Sequence, residues 1–251
     1  MIIDVHAHLF HKDFDHDREK VLQRAKNAGV STIINNGLNP VTNRDTLRLK
    51  EQHGCEAALG IYPWDAVNLS EKEIQQELNW IKRQDCIALG EVGLDYVFPE
   101  GVDQERAKAE QVETFKAFID LGKTLKKPLI IHSRNAEEDV TKLLSERNAY
   151  NPVLHCFTGK RKTWRKAAGH GVYFSIPPVA KRATQFQELI RDVPVHQLFV
   201  ETDSPYLSHK KQDRNEPKNA AVSIEVIADV KGLDPTEVQN QLLMNYQRVF
   251  T

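Results

Sequence analysis

The chain has 251 residues, and 34 basic against 35 acidic side chains leave a net charge of −1. This length suits one large α/β domain, and we expect a single domain spanning residues 1–251. No apolar run reaches membrane-spanning length, and because a strand pattern begins directly at Ile2 we expect no signal peptide. Three widely separated cysteines without metal-type spacing fit a reducing cytoplasm, where we expect the protein to reside.

Short apolar runs alternate with longer amphipathic stretches along the whole chain. The runs predict strands near 2–6, 31–36, 56–61, 86–91, 128–132, 152–156, 171–176 and 197–202. The stretches predict helices near 17–28, 41–53, 71–84, 104–126, 135–147, 161–169, 180–192, 220–230 and 235–248. Eight strands, each followed by a helix, predict a closed parallel TIM (β/α)8 barrel with its functional groups at the C-terminal ends of the strands.

Five predicted strands end in histidine or carboxylate side chains. His6 and His8 lie two residues apart, so they share one strand face at a spacing of about 7 Å. Any lone histidine is more simply explained as a hydrogen-bonded core or surface residue, but agreement among five strand ends predicts a metal site. Histidine and carboxylate together suit Zn, Mn or a similar divalent ion. The expected ligands are His6, His8, Glu91, His132, His155 and Asp203, with Glu91 at the end of the fourth strand and Asp4 behind the ligands.

Six sequence motifs, spread in order over the whole chain, now point to a family. They are DVHAH at 4–8, GEVGLDY at 90–96, IHSR at 131–134, HCFTG at 155–159, ETDSPYL at 201–207 and RNEP at 214–217. The chain resembles the TatD family of metal-dependent hydrolases, within the amidohydrolase-type barrels. The resemblance implies a TIM barrel, two divalent ions (Mg, Mn or Zn) and hydrolysis, often of DNA as a 3′-to-5′ exonuclease.

Carried over by motif, His6, His8, Glu91 and Asp203 hold one ion, and Glu91, His132 and His155 hold the other. Asp203 is the candidate acceptor of the proton from a metal-activated water, with Glu201 the next candidate and Glu91 bridging the ions. Two segments depart from the family pattern, which commonly has a histidine where this chain has Tyr62 before Pro63. The segment 174–178 also lacks the glycine that many relatives carry.

Basic residues are unevenly distributed along the chain. From Arg147 to Gln187 inclusive there is no acidic residue, while eight residues are basic. Such a cluster beside a metal site predicts contacts with phosphate, and aromatic side chains can stack on unpaired bases. A solvated helix face is the alternative for residues 160–166. The predicted substrate-binding residues are Tyr62, Arg134, Lys160, Arg161, Lys162 and Arg214.

Together these features predict a monomeric deoxyribonuclease that acts on single strands or strand ends. One alternative is a small-molecule hydrolase acting on a lactone, amide or phosphoester, because a fold does not fix a reaction. Another is a non-catalytic metal-bound partner protein. The basic run favours a polyanionic substrate, and a complete ligand set favours an enzyme.

Overall fold

The protein forms a closed barrel of eight parallel strands in the computed structural model, which describes residues 1–251. Neighbours in the chain are neighbours in the sheet, and β8 closes the barrel on β1. The strands are β1 Ile2–Ala7, β2 Val30–Asn36, β3 Glu56–Leu59, β4 Ala88–Asp95, β5 Leu129–Arg134, β6 Pro152–His155, β7 Tyr173–Ile176 and β8 Leu198–Val200. The predicted TIM (β/α)8 fold is confirmed.

Ten α-helices surround the barrel. They are α1 Arg18–Asn27, α2 Pro40–His53, α3 Pro63–Asn68, α4 Glu71–Ile81, α5 Gln104–Leu125, α6 Glu137–Glu146, α7 Arg161–Gly169, α8 Thr184–Asp192, α9 Ala220–Lys231 and α10 Pro235–Phe250. Sequence periodicity missed only α3, which is too short to show it and begins with Pro63 at its first position. The helix predicted over 180–192 is divided into a 3-10 turn at Pro178–Lys181 and α8. None of the helices combines the length and apolar character needed to cross a bilayer.

Two apolar layers hold the barrel together. The outer layer packs the helices against the outward side chains of the strands. The inner layer fills the lumen with side chains from every strand and is joined by Val249 and Phe250 of α10. Its strand members are Ile3, Val5, Ile34, Ala58, Ala88, Ile130, Val153, Tyr173 and Phe199. Because this layer plugs the lower lumen, polar side chains farther along the strands are held at the C-terminal mouth.

Strands β1 and β4 depart from simple alternation where they carry functional side chains. The pairing of β1 with β2 shifts register between Asp4 and Ala7, and that of β4 with β5 shifts between Leu89 and Val92. Strand β4 continues to Asp95, so Glu91 lies inside the strand and not at its end as predicted. A register shift of one residue changes which face a side chain occupies, and so a strict two-residue period cannot place these ligands.

Candidate metal centre

Six side chains from five strand segments converge in the upper lumen. His6 lies near the end of β1 and His8 just beyond it, while Glu91 and His132 lie within β4 and β5. His155 is the last residue of β6, and Asp203 follows β8 by three residues with a positive φ of 52°. The sequence predicted this set of six, and the structure brings all six together.

Four of these side chains form a compact group. The Nε2 atoms of His6 and His8 are 3.1 Å apart, and each lies 3.3–3.4 Å from Oε2 of Glu91. Oδ1 of Asp203 lies 3.5 Å from the His6 atom and 3.2 Å from the His8 atom. Donor atoms about 2.0 Å from one tetrahedral ion lie about 3.3 Å apart, and these five distances fall near that separation. These donors therefore fit a small divalent cation.

A second group uses the other oxygen of Glu91. Oε1 of Glu91 lies 2.7 Å from Nδ1 of His132 and 3.1 Å from Nε2 of His155, and these two nitrogens are 3.2 Å apart. The three atoms form one triangular face of a possible ligand shell, which leaves the remaining positions open to water or substrate. Glu91 contributes one oxygen to each group, and the rings of His6 and His155 stack at 4.0 Å where the two groups meet.

The charges of these buried groups are strongly coupled. Burial alone raises the pKa of Glu91, but His155, His6 and His132 outweigh it and hold this pKa well below its usual range. Burial lowers the pKa of His8, yet hydrogen bonds with Asp203 and Glu91 raise it to about 10. The cluster therefore attracts positive charge, which protons or divalent ions can supply.

An outer carboxylate that sequence reasoning did not assign supports His132. Oδ2 of Asp95 lies 3.1 Å from Nε2 of His132 and accepts a 2.7 Å hydrogen bond from the Tyr62 hydroxyl. An acceptor at Nε2 favours the tautomer with the proton on that nitrogen, which leaves the Nδ1 lone pair of His132 free to bind an ion shared with Glu91. Asp95 lies in the GEVGLDY segment at 90–96, and a second carboxylate in the motif that carries Glu91 is the sequence signal that could have found it.

The side chains of Glu201 and Asp4 make different contacts from those expected from the sequence. Glu201 is fully buried, accepts hydrogen bonds from Cys156 N (2.8 Å) and Ser175 Oγ (2.5 Å), and lies 3.6 Å from Nδ1 of His155. That nitrogen is on the far side of the ring from Glu91, so Glu201 suits orienting His155 rather than activating water. Asp4 binds the backbone N–H and hydroxyl of Thr202 instead of a ligand ring.

A cavity of about 620 Å³ opens above the two groups. Tyr62 and Arg134 line it as the sequence predicted, together with Thr158, Leu207 and the half-exposed Tyr206. Arg134 is exposed and makes no ion pair with any carboxylate of the chain. The cavity is the size of a small-molecule site, so only a terminal part of a polymer fits inside.

The other four predicted substrate residues lie outside this cavity. Arg161 pairs in a bidentate way with Asp192 at 2.7 Å, and Lys160 and Lys162 are exposed without ion pairs. Arg214 pairs with Asp17 and Glu216, two carboxylates that it shares with Arg24. The absence of acidic residues from 147 to 187 therefore did not establish free charge, because the partners come from elsewhere in the chain.

The parallel barrel with histidines and carboxylates gathered at its C-terminal mouth defines the class of metal-dependent hydrolases. Residues 3–251 match the TatD related DNase family. The chain belongs to this family, which confirms the resemblance and the enzyme class predicted from the motifs.

Individual relatives match over nearly full length. Human deoxyribonuclease TATDN3 is 33% identical over 259 residues, which cover 99% of this chain and 94% of the relative. The 3′-5′ ssDNA/RNA exonuclease TatD of Erwinia tasmaniensis is 28% identical over 262 residues, covering 99% of each chain. The crystal structure of YJJV, a TatD homologue from Escherichia coli, superposes with a TM-score of 0.90 at 26% identity, covering 99% of this chain and 97% of that one.

Proposed function

We propose that the protein is a two-metal deoxyribonuclease that removes nucleotides from the 3′ end of single strands. The observation that carries this proposal is the sharing of Glu91, whose two oxygens face two separate groups of ligands. Paired ions bridged in this way are the arrangement that many phosphodiester-cleaving enzymes use. The names of the human and Erwinia relatives support DNA and single-stranded nucleic acid as the substrate class.

Each residue of the site has a distinct role in this proposal. His6, His8, Glu91 and Asp203 would hold one divalent ion, and Glu91, His132 and His155 the other. Bound there, the ions would lower the pKa of a water molecule and neutralise charge on the leaving oxygen. Asp203, which lines the cavity, accepts the proton of the attacking water, while Glu201 orients His155.

Arg134 and Tyr62 meet the substrate in this proposal. The unpaired guanidinium of Arg134 can form charge-assisted hydrogen bonds with a phosphate oxygen. Tyr62 offers its ring to the cavity while its hydroxyl is occupied by Asp95. A single catalytic domain, a monomeric state and a cytoplasmic location stay predictions, and light scattering of the purified protein measures the oligomeric state.

Cleavage of end-labelled single-stranded DNA, with and without EDTA, tests the proposal. We expect shortening from the 3′ end that EDTA abolishes and added divalent ions restore. Elemental analysis should find about two ions per wild-type chain and fewer for Glu91→Ala. Lys82→Ala/Arg83→Ala is a matched control, because these exposed residues follow α4 at the opposite end of the barrel.

Each alternative gives a different pattern in the same experiment. Metal-dependent hydrolysis of lactones, amides or phosphomonoesters with DNA left intact would identify a small-molecule hydrolase. Metal binding without hydrolysis of any of these substrates would identify a non-catalytic partner protein.

A further inference from the structure

The mouth of the barrel has two rims of opposite charge. The basic rim consists of exposed residues on or just after the loops that follow β6, β7 and β8. None of its members lies within ion-pair distance of a carboxylate. They are Lys160, Lys162, Lys181, Arg182, Lys210 and Lys211.

The acidic rim lies next to the basic rim around the mouth, where the Thr158 hydroxyl, on the loop after β6, donates to Glu137 at 3.1 Å. It consists of carboxylates on the loop after β4 and on the first turns of α5 and α6, and none of them has a basic partner within ion-pair distance. They are Glu100, Asp103, Glu137, Glu138 and Asp139. Arg134 lies at the end of β5, next to this rim, and is the cation nearest to the cavity on that side.

Hydrogen bonds attach the basic rim to the cavity. Arg182 donates to the carbonyl of Ser208 at 3.3 Å, and the preceding Leu207 lines the cavity. Gln185 donates to the carbonyl of Thr158, another cavity residue. The loops after β7 and β8 are thereby held beside the opening. Burial lowers the pKa of His209, and so do the nearby charges of Lys210 on its own loop and Lys181 on the loop after β7.

We propose that the loops after β7 and β8 form the exit track for the backbone of a single-stranded nucleic acid whose end occupies the cavity, with Lys181, Arg182 and Lys210 contacting its phosphates. This inference rests on the proposed nuclease function and adds a path for the strand. The cavity holds only the end of a strand, so the following phosphates must leave over the loops that surround the mouth. Unpaired carboxylates repel phosphates and unpaired cations attract them, and that difference selects the basic rim.

The track differs from the substrate contacts expected from sequence. Arg161 and Arg165 both pair with Asp192, so helix α7 contributes less free charge than its composition indicates. Lys181 and Lys210 lie on the two loops that the Arg182–Ser208 hydrogen bond joins, and their charges act on His209 together with those of Asp213 and Glu225. The hydrogen bond therefore brings basic residues of two loops to one side of the cavity, where Lys181, Arg182 and Lys210 outnumber these two carboxylates.

Steady-state cleavage by the metal-loaded enzyme tests the track. We compare Lys181→Ala/Lys210→Ala, which leaves the Arg182–Ser208 hydrogen bond in place, with the control Lys82→Ala/Arg83→Ala, which removes the same charge elsewhere. The substrates are a long oligothymidylate and a thymidine dinucleotide, each measured over a range of salt concentrations. For the oligothymidylate, we expect the log–log salt slope of kcat/KM to fall by about 1.4 in the track variant, because each phosphate that a lysine neutralises on a single strand contributes about 0.7 to this slope.

The dinucleotide separates the track from the cavity, because its single phosphate does not reach the rim. The ratio of kcat/KM for the long substrate to that for the dinucleotide should therefore fall in the track variant and stay at the wild-type value in the control. Equal ratios and salt slopes in the two variants would overturn the track while leaving the nuclease function intact. A wild-type enzyme that hydrolyses neither substrate would overturn the proposed function and the track together.

Discussion

Replacing Asp95 by asparagine changes one buried oxygen to an amide and leaves every proposed metal ligand in place. Oδ2 of Asp95 lies 3.1 Å from Nε2 of His132, and the other ring nitrogen of His132 lies 2.7 Å from Glu91. Burial raises the pKa of Asp95, but hydrogen bonds from His132, Val97 N and Tyr62 outweigh it and lower this pKa, so the carboxylate is charged at neutral pH. The substitution therefore removes a negative charge that makes the imidazole a better donor to a metal.

Carboxylates behind a histidine ligand typically contribute 10- to 100-fold to metal affinity, and this range sets the expected effect. We expect Asp95→Asn to weaken the ion held by His132 and His155 by about that factor, or about 1.4–2.8 kcal/mol. The ion held by His6 and His8 should change much less, because Asp95 contacts neither residue. Competition with a chromophoric chelator measures both dissociation constants, and thermal melting of the metal-free variant checks that the fold persists.

Tyr62→Phe is the matched comparison for this experiment. It removes the 2.7 Å hydrogen bond to the same oxygen of Asp95 but leaves the charge and the contact with His132. We expect a loss of stability of about 1 kcal/mol with little change in metal affinity. If Asp95→Asn bound both ions as tightly as the wild type, the inference that Asp95 orients His132 would be wrong.

Two further substitutions test the proton acceptor and the strand geometry. Asp203→Asn should lower turnover by about 100-fold or more, because it removes the proposed proton acceptor. The metal-free variant should melt near the wild-type temperature. Near-normal turnover would mean that another group activates the water. Gly93 has a φ of 143° and pairs with His132, and a Cβ there would overlap the His132 carbonyl oxygen. Gly93→Ala should therefore lower the unfolding free energy by at least about 1 kcal/mol and weaken the binding of the ion held by His132. Gly101→Ala is the control, because Gly101 also has a positive φ but lies in open space, and it should leave metal affinity unchanged.

The barrel and the converging ligands could be predicted because both follow from local patterns. A buried parallel strand has a recognisable apolar run, and the closed topology brings the ends of all such runs to one mouth. His132 and His155 obey this rule directly, since each lies two residues beyond a lumen side chain, Ile130 or Val153. Glu91 does not, because the register shift before Val92 and the continuation of β4 to Asp95 depend on pairing with β5.

The sequence could not show which basic residues at the mouth lack an ion pair, because their carboxylate partners are distant in the chain. Arg161 is paired with a residue 31 positions away, and Arg214 with one 197 positions away. Neither pairing leaves a trace in local composition. Lys181 and Lys210, by contrast, have no carboxylate within ion-pair distance, and only the folded chain reveals that the Arg182–Ser208 hydrogen bond joins their two loops.

Substitutions in the lumen and substitutions on the basic rim should have different effects on activity. The lumen groups are buried and coupled through Glu91, so a change at one of them alters the charge and position of the others. The rim residues lie on exposed loops and act on a strand mainly through long-range, salt-screened attraction. Changes in the lumen should therefore affect all substrates alike, long or short, and at every salt concentration. Changes on the basic rim should affect only substrates long enough to cross it, and least at high salt.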